Sequence, residues 1–235
     1  MSVSPFKRDE ALVNLLADHV NRKYVDEIRS YGKTVLVDVG GKTGDWSKCF
    51  NKDCLVYNLE VNEGYIDNTV DGSIGVYGDV RCIPFDDESV DIFLCRAVLH
   101  HVAGDLDVVC EELCRCLKSD GMVLVVEPCK FNPVGWVGRR FFRIEGFHED
   151  DEHPFNPFRL KSKLGEYFRV VDSGHYFLLS YCLDFVYGYL GLKSGSFTRW
   201  FLKRVLSFEQ FLLRFRFFQL FSGYVYFKCV KGDLL

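Results

Sequence analysis

Val35-Leu36-Val37-Asp38-Val39-Gly40-Gly41-Lys42-Thr43-Gly44-Asp45-Trp46 is the stretch whose reading decides the fold. The apolar run is too short for a helix, and Val35, Val37 and Val39 are β-branched, so it reads as a buried strand. It ends in a carboxylate and a glycine-rich turn. Gly40, Gly41 and Gly44 allow a sharp bend and a close backbone approach to a ligand. Asp45 and Trp46 are expected to open a helix whose positive end faces that ligand. Strand, glycine turn and helix together open a nucleotide-binding α/β domain.

The residues around the turn narrow the ligand. Gly41-Lys42-Thr43 ends like a phosphate-binding P-loop, but that motif needs a glycine five positions before Gly41, where Leu36 stands. The dinucleotide fingerprint Gly-x-Gly-x-x-Gly is not supplied either. Asp38 would repel a pyrophosphate, whereas a carboxylate there suits a cationic or amine-bearing ligand. A second short run, Cys54 to Leu59, ends at Glu60. This acid lies about the distance beyond Gly40 at which α/β nucleotide folds place a ribose-binding carboxylate.

Further strand ends follow in order. Ile74 to Tyr77 leads to Gly78-Asp79-Val80, and Ile83-Pro84-Phe85-Asp86-Asp87-Glu88-Ser89-Val90-Asp91 turns into a fourth strand, Ile92 to Cys95. That strand runs into Arg96-Ala97-Val98-Leu99-His100-His101-Val102. A helix over Leu106 to Leu117, a turn at Lys118-Ser119-Asp120-Gly121 and a fifth strand, Met122 to Val126, end at Glu127-Pro128. From Thr34 to Pro128 the chain resembles the class I S-adenosylmethionine methyltransferases of type 11, the group of the ubiquinone and menaquinone methyltransferases. Asp38-x-Gly40-x-x-x-Gly44 stands for their first motif, with Lys42 where the family has its middle glycine.

The resemblance implies one α/β domain with a Rossmann-like, seven-stranded, mostly parallel sheet. Its last strand would be antiparallel, helices would cover both faces, and a helical insertion would precede the last strand. It implies S-adenosylmethionine as cofactor: Asp38, Gly40, Gly41 and Gly44 at its methionine part, Glu60 on the ribose, Asp79 and Val80 at the adenine, and Arg96 at the next strand end. The Lys42 side chain would either crowd the cofactor or point outward. For a hydroxyl acceptor, His101, His148 or His153 is a candidate to take the proton, although a structural role for His101 is the stronger expectation.

The flanks carry fewer motifs. Apolar spacing over residues 8–31 predicts a leading helix stopped by Gly32, so the chain divides into an N-terminal helix (1–32), a cofactor core (33–128) and a substrate-side half (129–235). Phe131 to Phe142 is aromatic, with Arg139, Arg140 and Arg143. His148 and His153 flank four carboxylates, a pattern that reads as an acidic lid loop over the substrate. Phe158 to Tyr167 is predicted helical, Phe168 to Asp172 or on to Tyr176 a sixth strand, and Gly223 to Val230 a seventh. Between the last two strands, 178–222 interleaves aromatics with Arg199, Lys203, Arg204, Arg214 and Arg216. It admits a substrate cap, a dimer face, a membrane-surface face or an RNA contact.

Composition bounds the function. The net charge of -4 argues against a general nucleic-acid binder, but 1–128 holds 13 Lys+Arg against 23 Asp+Glu and 129–235 holds 16 against 10. A tRNA methyltransferase and a SAM-binding protein without turnover are the alternative readings; a small-molecule or lipid-linked acceptor is preferred. Lys7, Arg8, Asp9 and Glu10 occupy the place of a secretory signal's apolar region. Ten cysteines are therefore expected as reduced thiols in a cytoplasmic, conceivably membrane-peripheral, chain. Cys110, Cys114 and Cys116 form no Cys-x-x-Cys pair, so no metal site is expected.

Overall fold

The computed structural model describes residues 10–31, 34–44, 47–141, 153–180 and 195–232. Its elements are α1 (Glu10–Ser30), β1 (Thr34–Val39), β2 (Cys54–Glu60), α2 (Glu63–Ile66), β3 (Ser73–Tyr77), β4 (Val90–Arg96), α3 (Leu106–Cys116) and β5 (Leu117–Pro128). They continue as α4 (Pro133–Phe141), α5 (Pro157–Leu164), β6 (Phe168–Tyr176), α6 (Ser196–Leu212), α7 (Arg216–Gln219) and β7 (Tyr224–Lys231).

The seven strands form one sheet in the order β3-β2-β1-β4-β5-β7-β6, with β7 antiparallel between β5 and β6. Leu36 and Val37 of β1 are fully buried, as are Ile92 and Phe93 of β4. Strands this apolar are covered on both faces, as parallel strands of α/β proteins are. β1 pairs with β2 on one side and β4 on the other, Asp38 facing Asn58 and Leu94. The chain thus builds outward from β1 in one direction and then crosses to the other side. At that switch point the C-terminal ends of β1 and β4 diverge, which is where open α/β sheets bind ligands.

Two expected boundaries differ. β5 begins at Leu117, because Leu117 pairs with Val90 before the register shifts at Ile92, so the expected turn at Lys118–Gly121 is taken up inside the strand. After the glycine loop the described chain makes only the 3-10 turn Ser47–Phe50; Asp45 and Trp46, like Gly32, lie outside the described residues. The acidic segment before β4 is fixed by one cation. Arg115 donates to the carbonyls of Ile83 and Phe85, each at 2.9 Å, and pairs with Asp87 and Glu112.

Two compact units divide the chain: Tyr24–Glu127, Phe158–Gly174 and Tyr226–Leu235 in one, and Met1–Lys23, Pro128–Pro157 and His175–Val225 in the other. The first contains the sheet apart from a few strand-end residues. In the second, Asn132 donates to the carbonyls of Phe177 (3.2 Å) and Phe221 (2.9 Å) and caps α4 by accepting from the Gly135 N–H at 2.8 Å. Glu209 of α6 is fully buried. It accepts from the backbone N–H groups of Leu178, Leu179 and Ser180 (2.8–3.1 Å) and from the Ser180 hydroxyl (2.7 Å). Removing that carboxylate strands three N–H groups at once. Glu209→Ala should therefore lower stability by roughly 3–5 kcal/mol in urea denaturation, and Glu209→Gln by clearly less.

Candidate active site

The loop after β1 is held by its backbone. Gly40, Lys42 and Gly44 have φ of 65°, 55° and 79°. Gly40 donates to the Leu59 carbonyl at 2.8 Å, and Gly44 to that of Gly41 at 2.9 Å. Each glycine is required for its own reason. A Cβ on Gly40 would sit 2.6 Å from Val98 Cγ2 as well as at positive φ, whereas one on Gly41 would meet Asp38 Oδ2 at 2.4 Å and Asn58 Oδ1 at 2.5 Å. Gly44 has room and needs glycine for its φ alone.

Lys42 contributes backbone to the loop and sends its side chain away. Its N–H donates to Glu60 Oε2 at 3.2 Å, and its carbonyl accepts from the Asn58 amide. The exposed side chain carries Nζ 5.9 Å from the centre of the Tyr65 ring. A lysine at left-handed φ costs about 1–2 kcal/mol that a glycine would avoid.

Beneath Gly41 lie the two oxygens that define the site. Asp38 is 2% exposed, and neither its Oδ2 nor Asn58 Oδ1 has a hydrogen-bond donor. Burial is the main force on Asp38 and pushes its pKa up to about 6. A hydrogen bond from Ser47 and the charge of Arg96 oppose the shift; nearby Glu60 adds to it. Buried acceptors in native proteins have donors. Two facing acceptors without one, one of them a carboxylate, suit an amine or ammonium group.

Glu60 closes the next strand end. Three backbone N–H groups, of Lys42, Val61 and Asn62, bond its carboxylate at 2.9–3.2 Å. A carboxylate has about four lone-pair sites, so one acceptor position remains. The Gly78 N–H donates to the Glu60 carbonyl at 3.1 Å and brings Asp79 to the same edge of the sheet. Asp79 meets Arg81 there: Arg81 Nη2 lies 2.6 Å and Nε 3.0 Å from its oxygens, and this cation holds the carboxyl below its usual range. Arg81 also bridges to Asp105 at 3.0 Å. Val80 is buried.

At the end of β4 the chain turns through Ala97 at φ 51°. Fully buried Glu127, at the end of β5, organises this turn. Its Oε1 accepts from the N–H groups of Val98 (2.9 Å) and Leu99 (2.8 Å), and its Oε2 lies 2.7 Å from His100 Nδ1. The His101 ring lies against that of His100, with 4.2 Å between centroids. The sequence points to His101; the parts played by His100, Glu127 and Asn58 emerge only from the structure. Both Glu127-Pro128 and the paired histidines were legible as strand-end segments, but the bond across 27 positions carries no local signal. His153 is exposed and belongs to the second compact unit, whereas His148, Arg143 and the acidic segment between them lie outside the described residues.

Of the described cysteines most are buried, whereas Cys49 and Cys82 are exposed. Cys110 and Cys116 are buried on α3, and the thiols of Cys114 and Cys116 reach the carbonyls of Tyr167 and Phe85 at 3.5 and 3.4 Å. Among the described residues no group of three His, Cys, Asp or Glu is placed to hold a metal.

Residues 37–125 match the family model described as a methyltransferase domain of type 11. No curated protein matches the chain in sequence. Among solved structures, a SAM-dependent methyltransferase from Archaeoglobus fulgidus is 14% identical with a TM-score of 0.63, covering 92% of this chain and 93% of its own. Geranyl diphosphate C-methyltransferase from Streptomyces coelicolor A3(2), solved with Mg2+, geranyl diphosphate and S-adenosyl-L-homocysteine, is 12% identical with a TM-score of 0.61, covering 95% and 85%. The 4+2 cyclase SpnF is 17% identical with a TM-score of 0.60, covering 91% and 81%. At these identities the likeness is one of fold.

The raised Asp38 pKa makes a testable statement about stability. The unfolded carboxyl ionises near 3.8 and the folded one near 6, so folding binds a proton and this group's contribution falls as pH rises from about 4 to 6. The loss is roughly 3 kcal/mol at most. Urea denaturation from pH 4 to 7.5 should show Asp38→Asn gaining about 2–3 kcal/mol on the wild type across that range; parallel profiles would contradict the burial argument.

Proposed function

We propose that the chain, whose residues 37–125 match the methyltransferase-domain model, moves a methyl group from S-adenosylmethionine to a small-molecule or lipid-linked acceptor. The observation that carries this reading is the pair of donorless oxygens, Asp38 Oδ2 and Asn58 Oδ1, under Gly41. A cofactor α-ammonium supplies both the hydrogens and the positive charge that this pair needs. Arg96, whose charge already acts on Asp38, suits the α-carboxylate at the same end of the molecule. The remaining acceptor position of Glu60 suits a ribose hydroxyl. Val80 walls the adenine, and Asp79 reaches the adenine amine while sharing its carboxylate with Arg81.

The bound cofactor supplies a methyl group already activated by its sulfonium. The protein's own task is placement, with the acceptor nucleophile held in line and water excluded. Glu127 performs part of this by fixing the turn that carries Val98 to His101. His101, resting on the Glu127-anchored His100, takes the proton when the acceptor is a hydroxyl. The fold does not name the acceptor: its neighbours include both a C-methyltransferase and a cyclase. Lys42 does not disqualify the loop, because only its backbone enters it.

Titration calorimetry with S-adenosylhomocysteine tests the cofactor assignment. Saturable binding is expected, weakened about thirtyfold or more by Asp38→Asn, or roughly 2 kcal/mol. Glu60→Ala should cost roughly 1–3 kcal/mol. Wild-type affinity in both variants would remove the assignment.

The pH dependence follows from the same group. Below about 6 Asp38 carries a proton and no longer attracts a cation. Binding should therefore be roughly tenfold weaker at pH 5 than at pH 7.5, and the Asp38→Asn profile should be flat.

A further inference from the structure

α6 is apolar on two sides, and only one of them is covered. Leu202, Leu206, Glu209 and Leu213 face inward and are buried. On the opposite side Phe197, Trp200, Phe201, Phe208 and Phe211 follow helical spacing along a single stripe, each 44–74% exposed. Phe215 and Phe217 continue it past the helix end, at 53% and 69% exposure. Large aromatics grouped on one exposed stripe mark a contact surface rather than the scattered apolar residues of an ordinary exterior.

The charge on this stripe identifies the occupant. Arg204 lies 5.5 Å from the Trp200 ring centre and Arg214 6.0 Å from that of Phe211, with Lys203, Arg199 and Arg216 in the same segment. Between Gly195 and Ser222 the only acidic residue is Glu209, which is buried and bonded to backbone N–H groups. With Lys203, Arg204 and Arg214 exposed, the outer surface of the segment is aromatic and cationic and carries no exposed acid from the segment itself. A second copy docked through this face would set those cations against themselves, because a two-fold contact repeats the same patch on both sides.

We propose that the outer face of α6 and the turn after it docks on an anionic phospholipid bilayer. The helix lies in the plane of the headgroups, with its aromatic rings at the acyl boundary and its arginines and lysine among the phosphates. The 17-residue helix is about 25 Å long and lies on the membrane; among the described residues no helix is long and apolar enough to cross one. This surface stands independently of the methyl-transfer reading.

Vesicle flotation of the full chain tests it, with phosphatidylcholine alone against phosphatidylcholine carrying about a third phosphatidylserine. Binding to the anionic vesicles should be at least tenfold tighter and should fall with added salt. Acyl-chain-brominated lipids should quench tryptophan emission, with much of the quenching lost in Trp200→Phe. A Phe197→Ser/Phe208→Ser variant should lose vesicle binding at least tenfold while S-adenosylhomocysteine titration stays unchanged, since both positions are exposed. Failure to float with anionic vesicles would overturn the proposal. So would concentration-dependent self-association in sedimentation that the same variant abolishes, because the face would then belong to a second copy.

Discussion

A carboxylate sealed at the tip of the central strand, with an oxygen that no donor reaches, is the constraint on which the rest of the site depends. An isolated charge in such a place is expensive, and proteins compensate it with a partner or give it a proton. Here the compensation is partial. Ser47 and Arg96 pull one way, burial and Glu60 the other, and the balance leaves Asp38 titrating near 6. Arranged this way, the resting protein holds an acceptor that a cationic ligand improves.

Satisfying Asp38 completely would have been simple in sequence terms. Its strand neighbour Asn58 spends its amide on the Lys42 carbonyl and so presents its oxygen instead. Gly41 packs directly against both, and a Cβ there would lie only 2.4–2.5 Å from the two oxygens. Two of the positive-φ side-chain-bearing residues, Lys42 and Ala97, sit on the two loops flanking the switch point; Glu88 and Phe177 are the others among the described residues. Strain kept at a site by well-determined surroundings is what a preorganised binding surface requires. The surroundings here are Glu127, which fixes the Val98–His101 turn, and Glu60, which fixes the backbone of Lys42.

The sheet was legible because its information is local. β1, β2 and β4 are short apolar runs, and the parallel order of β1 to β4 places their ends on one edge, so the strand-end positions of Asp38, Glu60, Asp79 and Arg96 could be located from punctuation alone. What stayed hidden was pairing over distance. Nothing near Arg81, which also holds Asp79, announces that it reaches Asp105. Nothing near Glu127 announces that it binds His100 rather than an exposed partner. Lys42 was ambiguous for a related reason: whether a side chain in a glycine loop intrudes depends on the sign of φ, which composition does not give.

The charge asymmetry between the two halves of the sequence also changes meaning in three dimensions. Counted along the chain, the 129–235 half is only moderately basic. Folding removes Glu209 from the surface and uses its charge on the N–H groups of Leu178 to Ser180. The burial that anchors α6 therefore leaves the segment's own acid on the inner side, away from the aromatic and cationic face. A helix pinned by an internal carboxylate while showing aromatics and cations outward has been given two tasks. Its inner face alone accounts for its stability, because Leu202, Leu206 and Leu213 are the covered residues. The exposed rings contribute nothing to that packing and would be better replaced by polar side chains if folding were all that mattered. Their presence on one stripe is what the proposed bilayer contact requires of the helix.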